Sequence, residues 1–187
     1  MTFFGTPLVA KRLEVLHQLV PKASLTAMLI NPSNPLAEPE AREAQDAGLR
    51  LGLELFVVRV STERDFERAF ESMIERRPGA FCVGADQVFN DGREALVALA
   101  ARHGLPAIYF LREFAKLGGL MSYGNDLAEV YRQAGAYTAR VLAGEKPGDL
   151  PIIQATKFQA VLNLKTAKAL GLEVPTSILL LADEVIE

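Results

Sequence analysis

What this sequence lacks narrows the field first. In 187 residues it has no tryptophan, two histidines and one cysteine, Cys82. A single cysteine excludes an internal disulfide framework, and its place in the apolar run "GAFCVGA" points to a buried, unreactive thiol. Two histidines and one cysteine at unrelated spacings argue against a transition-metal centre. Charge of one sign is scarce too. Lys and Arg number 20 against 23 Asp and Glu, a net charge of -3 with no basic cluster, which speaks against nucleic acid as a partner. No apolar run approaches the length of a membrane span. The opening stretch "MTFFGTPLVAKRLEVL" has no basic segment followed by a long apolar one, so as written it carries no secretory signal and is expected in the cytoplasm.

Enzyme signatures are also missing. No Gly-x-Gly-x-x-Gly follows a strand and no Gly-Lys-Ser/Thr phosphate loop occurs. "LMSYG" approaches a nucleophile elbow, but Leu120 stands where glycine is required, and no histidine lies downstream to act as base. No catalytic residue, metal or cofactor is assigned.

What is present is a rhythm. Half the residues are hydrophobic, enough for a sizeable core. Helical spacing over 7–19 precedes an apolar strand over 25–31, broken by Pro32 and Pro35. Good helix formers over 38–50 precede a second strand, 53–60. Residues 62–77 form the clearest helix, with Phe66, Ala69, Phe70, Met73 and Ile74 in one stripe and Thr62 with Asp65 as a capping pair. A third strand spans 79–85, a helix 91–103, a fourth strand 106–110 and a fifth 118–124. The helix over 126–143 is expected to turn Leu127, Val130, Tyr131, Ala134, Tyr137, Val141 and Leu142 inward. After Gly144 come a loop, an extended stretch over 152–164, a short helix over 165–172 and a tail that suits packing on another body. Strands separated by helical patterns of this length imply βαβ units. The predicted class is therefore α/β, a Rossmann-like, doubly wound parallel sheet with helices on both faces.

In such sheets ligands bind where strand ends meet helix starts. Those ends carry Asn31, Ser33 and Asn34 after the first strand, and Asp86, Gln87 and Asn90 after the third. Tyr109, Arg112 and Glu113 follow the fourth, and Ser122, Tyr123, Gly124 and Asn125 the fifth. Plainer roles are equally open: Asn31 to Pro35 as a turn, Asp86 as a helix cap, Arg112 with Glu113 as a solvated pair, Ser122 and Tyr123 as a strand end. The shared address favours a small polar or zwitterionic ligand. Asp86 would accept from an ammonium, and Arg112 with the amides and hydroxyls would meet a carboxylate.

The stretches "AKRLEVLHQLVPKA", "MLINPSNP", "GAFCVGADQVFN", "YRQAGAYTARVLAGEKPGDLPI" and "KFQAVLNLKTAKALGLEVPTSILLLADEVIE" resemble the substrate-binding proteins of ABC transporters. The subgroup is the one similar to tryptophan- and tyrosine-binding proteins, in collinear order over essentially the whole chain. The resemblance implies a type I periplasmic binding protein fold, in which two Rossmann-like lobes joined by crossing strands close over a solute. It implies that Met1 to Gly5 are a first crossing and residues 5–120 the second lobe. Residues 121–187 would be the return crossing plus elements that normally complete a first lobe, which this sequence does not include. A small-molecule solute, an ABC permease and a periplasmic setting come with the family. Asp86 matches an acidic residue facing the cleft, although Gln87 and Val88 stand where Asn-Thr is typical. Asn31, Ser33 and Asn34 match a loop of the same cleft, and Ser122 and Tyr123 the return crossing. Aromatic stacking would fall to Tyr109, Phe110, Tyr123 or Phe89. Without the other lobe, the helix over 126–143 is expected to expose an apolar face and drive homo-oligomerisation. Two alternatives stand beside this: a cytoplasmic ligand-sensing or interaction module on the same lobe, and a truncated gene product with no function of its own.

Overall fold

The computed structural model describes residues 6–151 and 157–187. The crossing expected at Met1 to Gly5 and the first part of the extended stretch from Ile152 lie outside them. The chain runs α1 (Thr6–Leu19), β1 (Leu25–Ile30), α2 (Ala37–Leu51), β2 (Glu54–Arg59), α3 (Phe66–Arg76), β3 (Ala80–Val83), α4 (Gln87–Asp91) and α5 (Arg93–Arg102). It continues with β4 (Ala107–Tyr109), α6 (Arg112–Lys116), β5 (Met121–Asn125), α7 (Leu127–Leu142), β6 (Phe158–Asn163), α8 (Leu164–Ala169), α9 (Thr176–Leu181) and β7 (Glu184–Ile186). One seven-stranded sheet results, in the order β2-β1-β3-β4-β5-β6-β7. The first five strands are parallel, β6 is antiparallel to β5, and β7 is parallel to β6.

Strand alternation sorts the side chains into two cores. From β1, Met28 and Ile30 join Cys82, Ile108, Met121 and Leu162 beneath α1, α2 and α8. Ala27 and Leu29 join Phe81, Val83, Tyr109 and Phe114 on the face covered by α3, α5 and α6. The capping pair before α3 is present, with the Asp65 carboxylate accepting from the Thr62 N–H and hydroxyl. The α3 stripe buries Phe66, Ala69, Phe70 and Met73, while Ile74 lies at its exposed margin. The one-turn helices α4 and α6 are too short to show a helical period, and nothing in the sequence anticipated them.

Most of the 121–187 segment builds onto this sheet. Residue 121 begins β5, which pairs with β6 along Met121↔Leu162 to Asn125↔Phe158. Asn163 donates to the Ala115 carbonyl at 3.0 Å and caps α8 through Thr166, which ties the tail to α6. Among the described helices of this segment, α7 stands off. Of the residues expected inward on α7, Val130 alone is buried, whereas Tyr131 is 71% and Leu142 83% exposed. That stripe is amphipathic, but this sheet offers it no surface. Among the described residues no helix is long and apolar enough to cross a membrane.

One polar contact lies inside the first core. Arg12 falls within the buried stripe of α1, between Leu8, Val9, Val15 and Leu16, and is 1% exposed. Its guanidinium pairs with Glu40, which occupies the buried stripe of α2 beside Ala37, Ala41 and Ala44. The other Glu40 oxygen accepts from the Ala85 N–H at 3.2 Å. Gly84 makes room for this approach, because a Cβ there would come within 2.9 Å of the Leu29 carbonyl oxygen and 3.1 Å of Glu40 Oε2. A buried ion pair costs desolvation, and removing one partner strands the other charge. Glu40→Ala should therefore lower the unfolding free energy by about 3–5 kcal/mol, while Arg12→Met combined with Glu40→Leu should stay within about 1–2 kcal/mol of wild type. Urea denaturation of both variants checks this, and a double variant as unstable as Glu40→Ala would refute it.

Candidate functional site

The strand ends converge through one loop. In Asn31-Pro32-Ser33-Asn34-Pro35, each asparagine folds the chain on itself: Asn31 Oδ1 accepts from the Ser33 N–H at 3.0 Å, and Asn34 Oδ1 from the Leu36 N–H at 2.9 Å. Their carbonyl oxygens thus occupied, both side-chain amides present NH2 groups to Asp86. Asn31 donates to Asp86 Oδ1 at 3.0 Å and Asn34 to Oδ2 at 2.9 Å, with a further bond from Asn34 to the Ala85 carbonyl. Asp86 Oδ1 also accepts the Val88 N–H at 2.9 Å and so caps α4. The plain roles and the site role are therefore the same bonds: the loop is a turn, Asp86 is a cap, and together they fix a carboxylate. Oδ2 accepts one bond and keeps capacity for another.

Beside Asp86 opens a hollow of about 300 Å³ at the C-terminal rim of the sheet. Its walls are Leu8 and Arg12 from α1; Ala85, Asp86, Gln87 and Asn90 from the β3–α4 turn; and Phe110 and Leu111 after β4. Gly124, Asn125, Leu127 and Tyr131 complete them from the end of β5 and α7. Gly124 is required there, because a Cβ would sit 1.9 Å from the Phe110 carbonyl oxygen. Asp86, Gln87 and Asn90 thus line the hollow as expected. Asn31 and Asn34 reach it through Asp86, and Ser33, exposed, contributes only its backbone N–H to the turn.

Four expected residues lie elsewhere. Tyr109 is fully buried on the opposite face, stacked on Phe114 at 4.6 Å, and burial raises its phenol pKa. Ser122 registers with Tyr109 across β4 and β5, so it shares that face and is buried as well. Tyr123, one step on, turns to the other core and packs near Phe158. The Arg112 guanidinium is held by Glu184 and Gln159 and lines the tail instead. Of the candidate stacking aromatics, only Phe110 lines the hollow, and Phe89 is core.

Gly124 and Asn125 line the hollow from the end of β5, as the strand-end reading expects, whereas Arg12 and Tyr131 line it without being expected there. Tyr131 sits past the strand end, on a helix face expected to turn inward. Arg12 had a signal, a charge inside an apolar stripe. Electrostatically, burial raises the Glu40 carboxyl pKa, opposed by the Arg12 charge and the Ala85 amide. Burial also pushes the Cys82 thiol up to about 12, in keeping with an unreactive cysteine.

Comparison with known proteins places this geometry. A model of the ABC transporter substrate binding protein family matches residues 6–186. The chain is similar to a tyrosine-binding protein of Clostridioides difficile (strain R20291), 22% identical over 165 residues, which cover 88% of this chain and 48% of the relative. It is also similar to a structure from Streptococcus pneumoniae in complex with L-Trp, with a TM-score of 0.86 and 23% identity, covering 95% of this chain and 62% of that one. A conserved domain protein from Vibrio cholerae superposes with a TM-score of 0.86 at 20% identity, covering 95% and 60% of the two chains. The chain spans about half the length of the curated relative and about three fifths of these structures. With the family model running from α1 through β7, the chain belongs to the ABC transporter substrate-binding proteins, and its sheet is a lobe of the type I periplasmic binding protein fold.

Proposed function

We propose that the chain is the substrate-binding component of an ABC-type importer, acting outside the cytoplasmic membrane, with a small amino-acid-like solute and an ABC permease as partner. The observation that carries this reading is the hollow at the rim, where a carboxylate held by two asparagines faces apolar walls from Leu8, Phe110, Leu111 and Leu127. A few fixed polar groups in an otherwise apolar concavity suit a small molecule. Relatives that bind tyrosine or tryptophan favour an aromatic amino acid, and Phe110 with Tyr131 supply aromatic surface here. In this reading residues 5–120 are the second lobe, and α7 belongs against a first lobe that closes the hollow from its open side. The protein binds its solute and does not convert it.

Asp86 carries both stability and binding in this arrangement. Asp86→Ala removes a cap and strands two amides, so the unfolding free energy should fall by about 2–3 kcal/mol. Asp86→Asn keeps much of the turn but removes the charge, and should weaken solute binding with a smaller loss of stability. A calorimetric screen of the L-amino acids and common sugars, on wild type and Asp86→Asn, tests the reading. Binding that Asp86→Asn leaves unchanged would remove Asp86 from the site, and no binding of any solute would sink the site itself.

The uncovered face of α7 supports a second element, self-association of the chain. Tyr131, Val141 and Leu142 are exposed together on a helix whose buried residue is Val130, and such faces are rarely left to water. Sedimentation velocity should show a mass that rises with concentration, and Leu142→Lys with Val141→Lys should return it to the monomer. A wild-type monomer at every concentration overturns this.

A further inference from the structure

β2 ends the sheet on one side, and among the described residues no strand pairs with its outer edge. Its bonding to β1 fixes which backbone groups remain there. The Glu54 N–H donates to the Ser24 carbonyl at 2.8 Å, and the Val60 N–H to the Ile30 carbonyl at 2.9 Å. Backbone groups alternate sides along a strand, so the even-numbered residues face β1, and Leu55, Val57 and Arg59 turn N–H and C=O outward. The edge is six residues long, and its charges, Glu54 and Arg59, stand only at its ends. Such an edge is open to an added strand. The opposite edge strand, β7, has three residues.

A groove of about 260 Å³ lies beside that edge, between β2 and α3. Phe56, Val58 and Ala69 give it apolar surface, and Arg68, Ser72 and Arg76, each four residues apart, present one row of α3 to it. Arg59 adds a third guanidinium. Against these stands one lining carboxylate, Asp65, already accepting from the Thr62 N–H and hydroxyl. The lining therefore carries a surplus of two positive charges in a chain of net charge -3. Arg59 pairs with Glu38 and Arg76 with Glu54, but the four side chains are 48% to 72% exposed. Pairs so exposed contribute little, and an incoming carboxylate can exchange for them. The Arg76 guanidinium also lies 4.0 Å from the centroid of the Phe56 ring, which keeps it at the groove.

We propose that the β2 edge is a docking surface for an extended acidic segment of a partner protein, which adds to the sheet as a further strand. The backbone of that segment bonds to Leu55, Val57 and Arg59. Its side chains alternate between two faces. Those beside Phe56 and Val58 lie toward α3 and meet Arg68 and Arg76, which selects Asp or Glu. Those beside Leu55 and Val57 lie on the face of α2 and meet partly buried apolar surface, which selects Val, Ile or Leu. The partner segment is thus specified as acid and aliphatic in alternation. Backbone bonds supply the affinity, and the arginine row supplies the choice of sequence. The groove shares no lining residue with the hollow at the rim, so this inference stands apart from the solute-binding reading.

The test uses the 187-residue chain and a fluorescein-labelled peptide of alternating glutamate and valine, read by fluorescence anisotropy and amide NMR. The peptide should bind and shift the amides of Leu55, Val57 and Arg59. Lysine in place of glutamate should abolish binding. A peptide of the same composition, with all its glutamates before its valines, should bind about tenfold more weakly. Methylating alternate backbone amides of the peptide should abolish binding in one of the two phases. Arg68→Glu, at an exposed position, should weaken the peptide about tenfold. Val57→Pro removes an outward N–H from an edge strand and should abolish binding with the rest of the amide spectrum kept; should it fail to fold, Arg68→Glu decides. No binding of the alternating peptide overturns the proposal. Equal binding of the block peptide, indifference to both methylation phases, or displacement by an equal concentration of inorganic phosphate also overturns it, leaving a simple anion site. If the peptide is silent while Arg68→Glu lowers the sedimenting mass of the chain, the occupant is a second copy and the proposal fails.

Discussion

The contact on which the rest depends is Glu40, buried between the Arg12 guanidinium and the Ala85 amide. It joins α1, α2 and the β3–α4 turn at one point. The other buried residues of α2 are Ala37, Ala41, Ala44, Ala47 and Gly48, small groups that leave neighbouring elements free to slide. A charged pair away from water tolerates little sliding, because any offset strands a desolvated charge. Gly84 lets the backbone come down onto the carboxylate, and the residue after Ala85 is Asp86. The position of the site carboxylate is thus set from below by an ion pair and from above by Asn31 and Asn34. The same Arg12 that locks the helices also lines the hollow. Structure and site share a residue, so the core cannot be redesigned without touching the cavity.

Much of this fold was legible because hydrophobic period is a local property. Strands such as "LTAMLI" and "AFCV", apolar on both faces, announce a buried parallel sheet, and the intervening helices announce crossovers. The convergence of Asn31, Asn34 and Asp86 followed from strand ends alone. Which face a residue takes past a strand end did not. Tyr109 and Ser122 fall outside the hollow because they are registered neighbours buried on the face away from α1, and Tyr123, turned to the other face, packs near Phe158 below the rim. Arg112 fails for a long-range reason, since its partners Gln159 and Glu184 come from strands whose pairing no local pattern reveals.

Arg12 and Glu40 show a signal present but unread. Each is a charge inside an otherwise apolar stripe, of opposite sign, on the helices that precede and follow β1. Two such violations that can cancel are more informative than either alone, since a buried charge is sustained only by a partner. The α7 stripe is the converse case. Its spacing says that a face is to be covered but carries no statement of what covers it, and this sheet does not.

The hollow therefore has unequal walls. On one side Asp86 is fixed by three donors and Arg12 by Glu40, so a solute bound as proposed would leave little ordering to be done there. On the other, Tyr131 rides on α7, which this lobe anchors chiefly through Val130. A body that packs against Val141 and Leu142 would hold α7 still and, through it, hold Tyr131 over Asp86. By linkage, a solute that engages Tyr131 would favour that packing to the same degree. If the hollow takes a solute as proposed, covering the apolar face and completing the hollow are one equilibrium.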